Sequence, residues 1–316
     1  MNYYIGIDVS KNFLDVYIRP DGISMRIANA AKGHQSLQKV LEKYPSCLIV
    51  MEATGGYERN LKVKLLHKGF DVRILNPQRV REFAKASGKF AKTDAIDCEV
   101  LSLFAEKMET TPSYHASEEE LFLKDLIQRR RQLTEEIVRE KNRLDKSTHS
   151  FIKRDIESHL KSLQKHLKKV DGSIVKLIQS VKSLKEKVGI LASMPGIGVT
   201  TASVLVADLP ELGSLDGKKL AALVGVAPMN HDSGGYSAQR HIRGGRPSVR
   251  CSLYMAAIVA IRHNTVIKVF YQRLRNQGKP AKVAIVAAMR KMVIILNQML
   301  THKTFWKDVN SAENGS

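Results

Sequence analysis

An α/β domain followed by two helical segments is the architecture this sequence predicts, and three observations predict it. Short β-type runs alternate with helical spacings through residues 1–113. Strand signal then stops, and residues 114–191 carry dense charge around a periodic apolar seam. Residues 192–303 are largely helical again, broken by a Pro-Gly-Ile-Gly turn and a polar loop, and residues 304–316 form a polar tail expected to fray.

The first region reads in order. YYIGIDVS, FLDVYIRP and SMRIANA are strands; GHQSLQKVLEKY places Leu37, Val40 and Leu41 at helical spacing. SCLIVMEAT is a buried-type strand that ends at Gly55-Gly56. ERNLKVKLLHKG is a helix closed by Gly69, and FDVRILNP is a further strand. PQRVREFAKAS begins a helix with Pro at its first position, where the missing N–H costs nothing. TDAIDCEVLSLFAEKM is helical, with Thr93 as its expected N-cap. Three strands, helix, strand, helix, strand, helix is the order of RNase H-like domains.

In the second region Leu160, Leu163, Leu167, Val170, Ile174, Leu177, Val181, Leu184, Val188 and Leu191 alternate spacings of three and four. That is a coiled-coil seam, and as one helix it would be about 48 Å long. Gly172 is a point where it can bend. An earlier helix carries Leu126, Leu133, Ile137 and Leu144, so a helical hairpin or dimerisation arm is expected, with an ordinary bundle as the plainer reading. Beyond it, ASMPGIGVTTASVLVAD reads as a helix-hairpin-helix. Gly196 and Gly198 permit positive φ, and the amides opening the second helix can meet a phosphate. A helix–helix turn without nucleic-acid contact has the same pattern.

Composition narrows the partners. The 316 residues contain 51 Lys and Arg against 31 Asp and Glu, a formal net charge of +20. Such an excess favours a polyanion, because each cation that meets a phosphate releases condensed counterions. No polybasic tail or long uncharged apolar run points to a membrane, and no secretion signal opens the chain, so a cytosolic protein is expected. Cys47, Cys98 and Cys251 are widely spaced and read as structural thiols, neither a disulfide framework nor a zinc knuckle.

Four carboxylates carry the chemistry. Asp8 lies in the first strand and Glu52 near the end of the fourth; these strands are neighbours in the expected sheet. Asp94 and Asp97 are i and i+3 on one helix face. Converging carboxylates repel unless a cation neutralises them, and hard oxygen donors suit Mg²⁺ or Mn²⁺. Taken singly, Asp94 can complement a helix dipole and Asp97 can be a solvated residue, whereas Glu52 interrupts an apolar run where a lone charge is costly. Asp15 is an additional candidate ligand or a solvent-facing residue.

A last feature is the loop GVAPMNHDSGGYSAQRHIRGGRPSVR, where Ser233 precedes Gly234-Gly235 and Arg240, Arg243, Arg246 and Arg250 can bind phosphates. A plain flexible turn fits those residues equally well. The segments GIDVSK, MEATGGYE, KTDAIDCEVL, MPGIG and GVAP–SG–GG–VR–LYMAA, in this order, resemble the insertion-sequence-110 family of DEDD transposases and the related pilin-gene inverting recombinases. The resemblance implies an RNase H/RuvC-like N-terminal domain, a coiled-coil arm and a C-terminal transposase domain. It places the DEDD set on Asp8, Glu52, Asp94 and Asp97 and a serine nucleophile on Ser233. It also implies Mg²⁺ or Mn²⁺, double-stranded donor and target DNA, an element-encoded bridge RNA as guide, and a dimer or tetramer. Two readings stand beside it: a nuclease of the same fold that uses water, and a non-catalytic architectural DNA-binding protein.

Overall fold

The computed structural model describes residues 2–53, 55–88, 94–110, 114, 116–229, 232–233, 236–237 and 241–307, with backbone alone for residues 94, 95, 229, 232, 233, 236 and 237. The chain divides into two compact units, Met1–His115 and Ala116–Ser316.

The first unit is a five-stranded sheet between two helical layers. Its strands are β1 (Tyr3–Val9), β2 (Phe13–Arg19), β3 (Ile23–Ala28), β4 (Cys47–Glu52) and β5 (Asp71–Leu75). Its helices are α1 (Ala31–Leu41), α2 (Arg59–His67), α3 (Pro77–Ala86) and α4 (Asp94–Lys107). The order across the sheet is β3-β2-β1-β4-β5, antiparallel from β3 to β1 and parallel from β1 to β5. Alternation decides the faces. Ile5, Ile7, Val9, Ile49 and Met51 pack with Leu37, Leu41, Leu61 and Leu65 under α1 and α2. On the opposite face Val50 packs with Val80, Val100, Leu101 and Phe104 of α3 and α4. Asn76 caps α3 through its side chain, which accepts from the Gln78 amide, and Pro77 occupies the first turn. The expected N-cap Thr93 lies outside the described residues.

The second unit opens with α5 (Glu118–Lys146), whose start is set by a capping box between Ser117 and Glu120. Next come α6 (Ser150–Ser180), α7 (Lys182–Ala192), α8 (Val199–Asp208) and α9 (Gly217–Val224). Two small ladders follow, β6 (Pro228–Met229) with β9 (His241–Ile242), and β7 (Asp232–Ser233) with β8 (Tyr236–Ser237). The chain then forms α10 (Pro247–His263), α11 (Thr265–Asn276) and α12 (Ala281–Thr301).

The apolar seam finds its partner within the chain, because Leu133 and Ile137 of α5 pack with Ile156, Leu160 and Leu163 of α6. It is not one helix: α6 ends at Ser180, and Val181 is extended at φ −109°, ψ 110°. The Ser180 hydroxyl and the Val181 amide both donate to the Leu177 carbonyl, which closes the helix there and not at Gly172. Three–four spacing reports a buried face, and a buried face continues across a break when both helices pack on one core. Ile174, Leu184, Val188 and Leu191 all join the large core that also holds Leu205, Leu253 and Met292.

One further expectation changes in part, since residues 308–316 of the expected tail lie outside the described residues. Residues 304–307 do not fray; the Trp306 amide donates to Ser193 Oγ at 2.9 Å and its ring packs against the large core. Helix α12 is long and apolar enough to cross a membrane by length and hydropathy, but with Lys282, Arg290 and Lys291 it is not an uncharged run, so that expectation is unaffected. It buries Ala288, Met292, Val293 and Leu296 in the core and carries Arg290 and Lys291, as a core helix of a basic protein does.

Candidate active site

Register builds the site. Tyr3 pairs with Cys47 and each following residue in step, as far as Ile7 with Met51; the next position sets Asp8 beside Glu52 on adjacent parallel strands. Neighbouring strands lie about 4.8 Å apart, and residues level with each other share a face. That face is the one α4 covers. A Cβ on Gly6, two residues before Asp8, would stand 2.0 Å from the Cys98 carbonyl oxygen and 2.6 Å from the Ser102 nitrogen. Only glycine lets the α4 backbone lie so close to β1.

Helix α4 runs against the direction of β1. Arg19, which pairs across the ladder with Tyr4, reaches both Glu99 and Glu106 at 3.7 Å. Cys98, by contrast, feels the opposite end of the strand: burial first, then the charges of Asp15 and Asp8, push its thiol up to about 11. The N-terminal end of α4 therefore lies over the carboxylate end of β1. Asp97 adjoins Cys98 there, and Asp94 is the first residue of the helix, its side chain outside the described residues. Asp8, Glu52 and Asp97 are each half-buried and each engaged with a neighbour.

The sheet adds a pair that sequence reasoning passed over. Asp15 sits directly opposite Asp8, and Arg26 directly opposite Asp15. Two carboxylates face to face across a ladder destabilise it unless one is neutralised. Arg26 does this bidentately, its Nε and Nη2 donating to the two Asp15 oxygens at 2.8 and 3.0 Å. Asp15 is therefore saturated by a guanidinium, which argues against the additional-ligand role. The signal was present as an Asp and an Arg at matching positions of consecutive strands, but it needs the register to be seen.

Two supports hold the ends of β1 and β4. Asn29 Nδ2 donates to the Ser10 carbonyl at 2.8 Å and Asn29 Oδ1 accepts from His34 Nε2 at 2.8 Å; His34 is buried, and Lys64 Nζ lies 3.1 Å from its Nδ1. Burial, then the Lys64 charge, lowers the His34 pKa. After Glu52, Gly55 and Gly56 turn at φ +71° and +108°, and the buried Glu58 accepts the Gly56 amide at 2.9 Å.

As a donor set, Asp8, Glu52 and Asp97 fit a hard divalent cation: they supply oxygen alone, from one end of one face, with the neighbouring Asp15 charge already balanced. Among the described residues no three acidic, His or Cys side chains form a ready cluster.

In the second unit, Ser233 lies in a short ribbon. It pairs with Tyr236 in the β7–β8 ladder, beyond the β6–β9 ladder. At the base, Gly225 turns left-handed at φ +80°, and a Cβ on Gly245 would stand 2.3 Å from its nitrogen. Arg246 leaves the ribbon and donates to both Glu211 oxygens at 2.6 Å and to the Asp208 carbonyl at 2.9 Å, while Arg250 donates to the Gly244 carbonyl. Arg246 ties the base of the ribbon to the end of α8, and Arg250 of α10 ties Gly244 to its own helix. Arg243 is exposed, and Arg240 lies outside the described residues. In the MPGIG turn Gly196 has φ +101° and packs against Ala260, where a Cβ would come within 2.6 Å of the alanine Cβ. Gly198 differs from expectation: at φ −82° it is an ordinary N-cap for α8, with open space around it.

Comparison with known proteins agrees with this layout. Residues 5–150 match a family model described as Transposase, of the DEDD IS110 type, and residues 188–272 match one described as Transposase IS116/IS110/IS902 family. The chain belongs to the IS110 transposase family. It is 27% identical over 310 residues to the pilin gene-inverting protein of Moraxella bovis, covering 92% of this chain and 94% of that protein. The pilin gene-inverting protein of Moraxella lacunata matches to the same extent. An insertion element IS110 protein of Streptomyces coelicolor is 30% identical over 120 residues, 37% of this chain and 30% of its own length. The protein is a DNA transposase/recombinase, and its family implies dependence on a divalent metal.

Proposed function

We propose that this IS110-family enzyme excises and inserts a mobile DNA element by cutting and rejoining strands through Ser233. The observation that carries the catalytic half is the row of Asp8 and Glu52 on adjacent strands, with the Asp97 end of α4 above it. The sheet order, with three antiparallel strands extended by two parallel ones, supports an RNase H/RuvC-like reading of the first unit. The PGIG turn between α7 and α8 supports a helix-hairpin-helix reading in the second.

Asp8, Glu52, Asp94 and Asp97 would hold Mg²⁺ or Mn²⁺, which would supply charge neutralisation for the scissile phosphate and make an attacking hydroxyl more acidic. The chain's own residues do the rest. Ser233 Oγ forms a bond to phosphorus, the P–O3′ bond breaks, and the serine proton passes to the released 3′ oxygen. A 3′-hydroxyl from another strand then attacks the phosphoserine, the P–Oγ bond breaks, and the proton returns to Ser233. One phosphoester is made for each one broken, so joining needs no ATP. Family resemblance supports the serine, a bridge RNA that pairs with donor and target duplexes, and a dimer or tetramer in the cytoplasm on nucleoid DNA. Gly196, Gly198, Arg240 and Arg243 are assigned to nucleic-acid phosphates; Arg246 and Arg250 are assigned to holding the ribbon.

The test is a covalent trap. Protein, Mg²⁺ and an end-labelled duplex carrying the element junction should yield a denaturation-resistant protein–DNA species that phosphoserine mapping places on Ser233. Ser233→Ala should give neither adduct nor cleavage. Cleavage by Ser233→Ala at the normal rate would support a nuclease instead. That second reading is favoured by one observation: the whole carboxylate row lies in the first unit and needs no serine to activate water.

A further inference from the structure

Charge is not spread evenly over this chain. From Pro247 to Lys307 there are 11 Lys and Arg and no Asp or Glu, where chain-average composition would place about six acids. More than half of the net charge of +20 thus comes from these 61 residues. The acid-free stretch is the three-helix group α10, α11 and α12, and α11 packs against α10 on one side and α12 on the other. No carboxylate is available from any of the three.

The cations gather about α11. Helix α10 meets α11 at a bend of 95°, where buried Asn264 caps α11 by accepting the Ile267 amide at 3.1 Å. Arg262 is exposed just before the bend. Along α11 the solvent arc carries Lys268, Gln272, Arg273, Arg275 and Asn276, all hydrogen-bond donors, with Val269 as its one apolar member. Lys279 and Lys282 continue the exposed surface through the turn into α12. Among the described residues none of Arg262, Lys268, Arg273, Arg275, Lys279 and Lys282 is in a salt bridge. Clustered like charges without counter-charges destabilise a fold, and that cost is recovered only when a polyanion is bound.

We propose that the exposed face of α11, continued by Arg262 before it and by Lys279 and Lys282 after it, is a docking surface for the phosphate backbone of duplex DNA. The chemistry selects duplex over single-stranded nucleic acid. Single strands are gripped by stacking bases on open aromatic faces. The two rings beside this face, Phe270 and Tyr271, are only partly exposed, and Phe270 already carries Arg273 at 5.4 Å and Lys291 at 4.7 Å from its centroid. What remains is cations and amides, the donors that contact phosphates without reading bases. The surface shares no residue with the Ser233 ribbon or the carboxylate row, and it requires only that the enzyme act on DNA.

The experiment replaces Lys268, Lys279 and Lys282 together by Gln in the full-length chain. Binding to a labelled duplex is measured with chelator present, so that no strand is cut, across 50 to 300 mM salt (roughly the range over which such contacts respond). If each lysine meets one phosphate, the slope of log K against log salt should fall by about 2.7, and affinity near 0.15 M salt should drop at least about tenfold. The control neutralises Lys161, Lys165 and Lys168 on α6, which removes the same net charge elsewhere. Equal effects from both triples, or a slope unchanged within about one, overturn the proposal. So does a triple that loses single-stranded RNA binding and keeps duplex binding. Unchanged melting confirms that the substitutions are read on folded protein, and cleavage at saturating DNA keeps the test separate from the Ser233 reading.

Discussion

At the scale of single residues, Gly6 and His34 show how the site is held without touching its chemistry. Gly6 lets α4 lie on β1; a methyl group there would meet two backbone atoms of α4 at 2.0 and 2.6 Å. Gly6→Ala should therefore cost more than about 3 kcal/mol and lower the melting temperature sharply, since neither strand nor helix backbone can yield alone. A melt within a few degrees of wild type would sink that account of the packing. His34 predicts a pH effect. Its folded pKa is lowered below 6.5 by burial and by Lys64, so the unfolded chain binds the extra proton first. Stability attributable to His34 is fully present above pH 6.5 and is lost as pH falls toward its folded pKa. Denaturant titrations between pH 7.5 and 5 should show the wild type losing stability faster than His34→Gln. Parallel curves would remove His34 from the account. Asp8→Asn and Glu52→Gln belong here too: either should abolish strand cleavage, by about 10³-fold or more, while leaving chelator-phase DNA binding near wild type.

At the scale of elements, the ribbon and its latch carry the next prediction. Burial opposes the Glu211 charge, but the hydrogen bonds and charge of Arg246 outweigh it and hold the Glu211 pKa below its usual value. Its contribution is thus present above the ordinary carboxylate range and disappears as pH falls through the lowered value. Both side chains are partly exposed, which discounts the pair, so Glu211→Gln should cost on the order of 1–2 kcal/mol at pH 7 and progressively less as pH falls through the lowered Glu211 value. A cost independent of pH would refute the ion pair as its source. Elements were also where sequence was most and least legible. Alternation along β1, β2 and β4 and the Pro77 start of α3 follow local rules, so they could be read residue by residue. Asp8 and Glu52 stood out because each breaks an apolar strand. What escaped was non-local: the Arg26 partner of Asp15 needs a register, the break at Val181 is hidden by a seam that continues past it, and the Trp306 anchor joins residues 113 positions apart. Arg246 read as a phosphate ligand because its acid lies 35 residues away.

For the whole molecule, the division into two units makes charge and stability separable. Residues 1–115 hold 17 Lys and Arg against 13 Asp and Glu, and the remainder holds 34 against 18, so the second unit carries 16 of the 20 excess charges. Each core cluster also lies inside one unit. Ile49 and Leu65 belong to a core made only of residues before 116, and Leu253 and Leu296 to one made only of residues after it. A core that shares no buried residue with its neighbour loses its packing without emptying the other, which is the condition for separate cooperative transitions. Urea unfolding followed by a probe in each unit is therefore expected to show two midpoints. Ile49→Ala should lower the first-unit midpoint by the equivalent of about 2–5 kcal/mol and leave the second in place, and Leu253→Ala should do the reverse. Added Mg²⁺ should raise only the first-unit midpoint, because a cation bound by Asp8, Glu52 and Asp97 stabilises the fold that assembles them, and the Asp8→Asn protein should lose that shift. A single transition moved equally by either core substitution would show instead that the units unfold as one, and that the carboxylate row is stabilised by the whole chain.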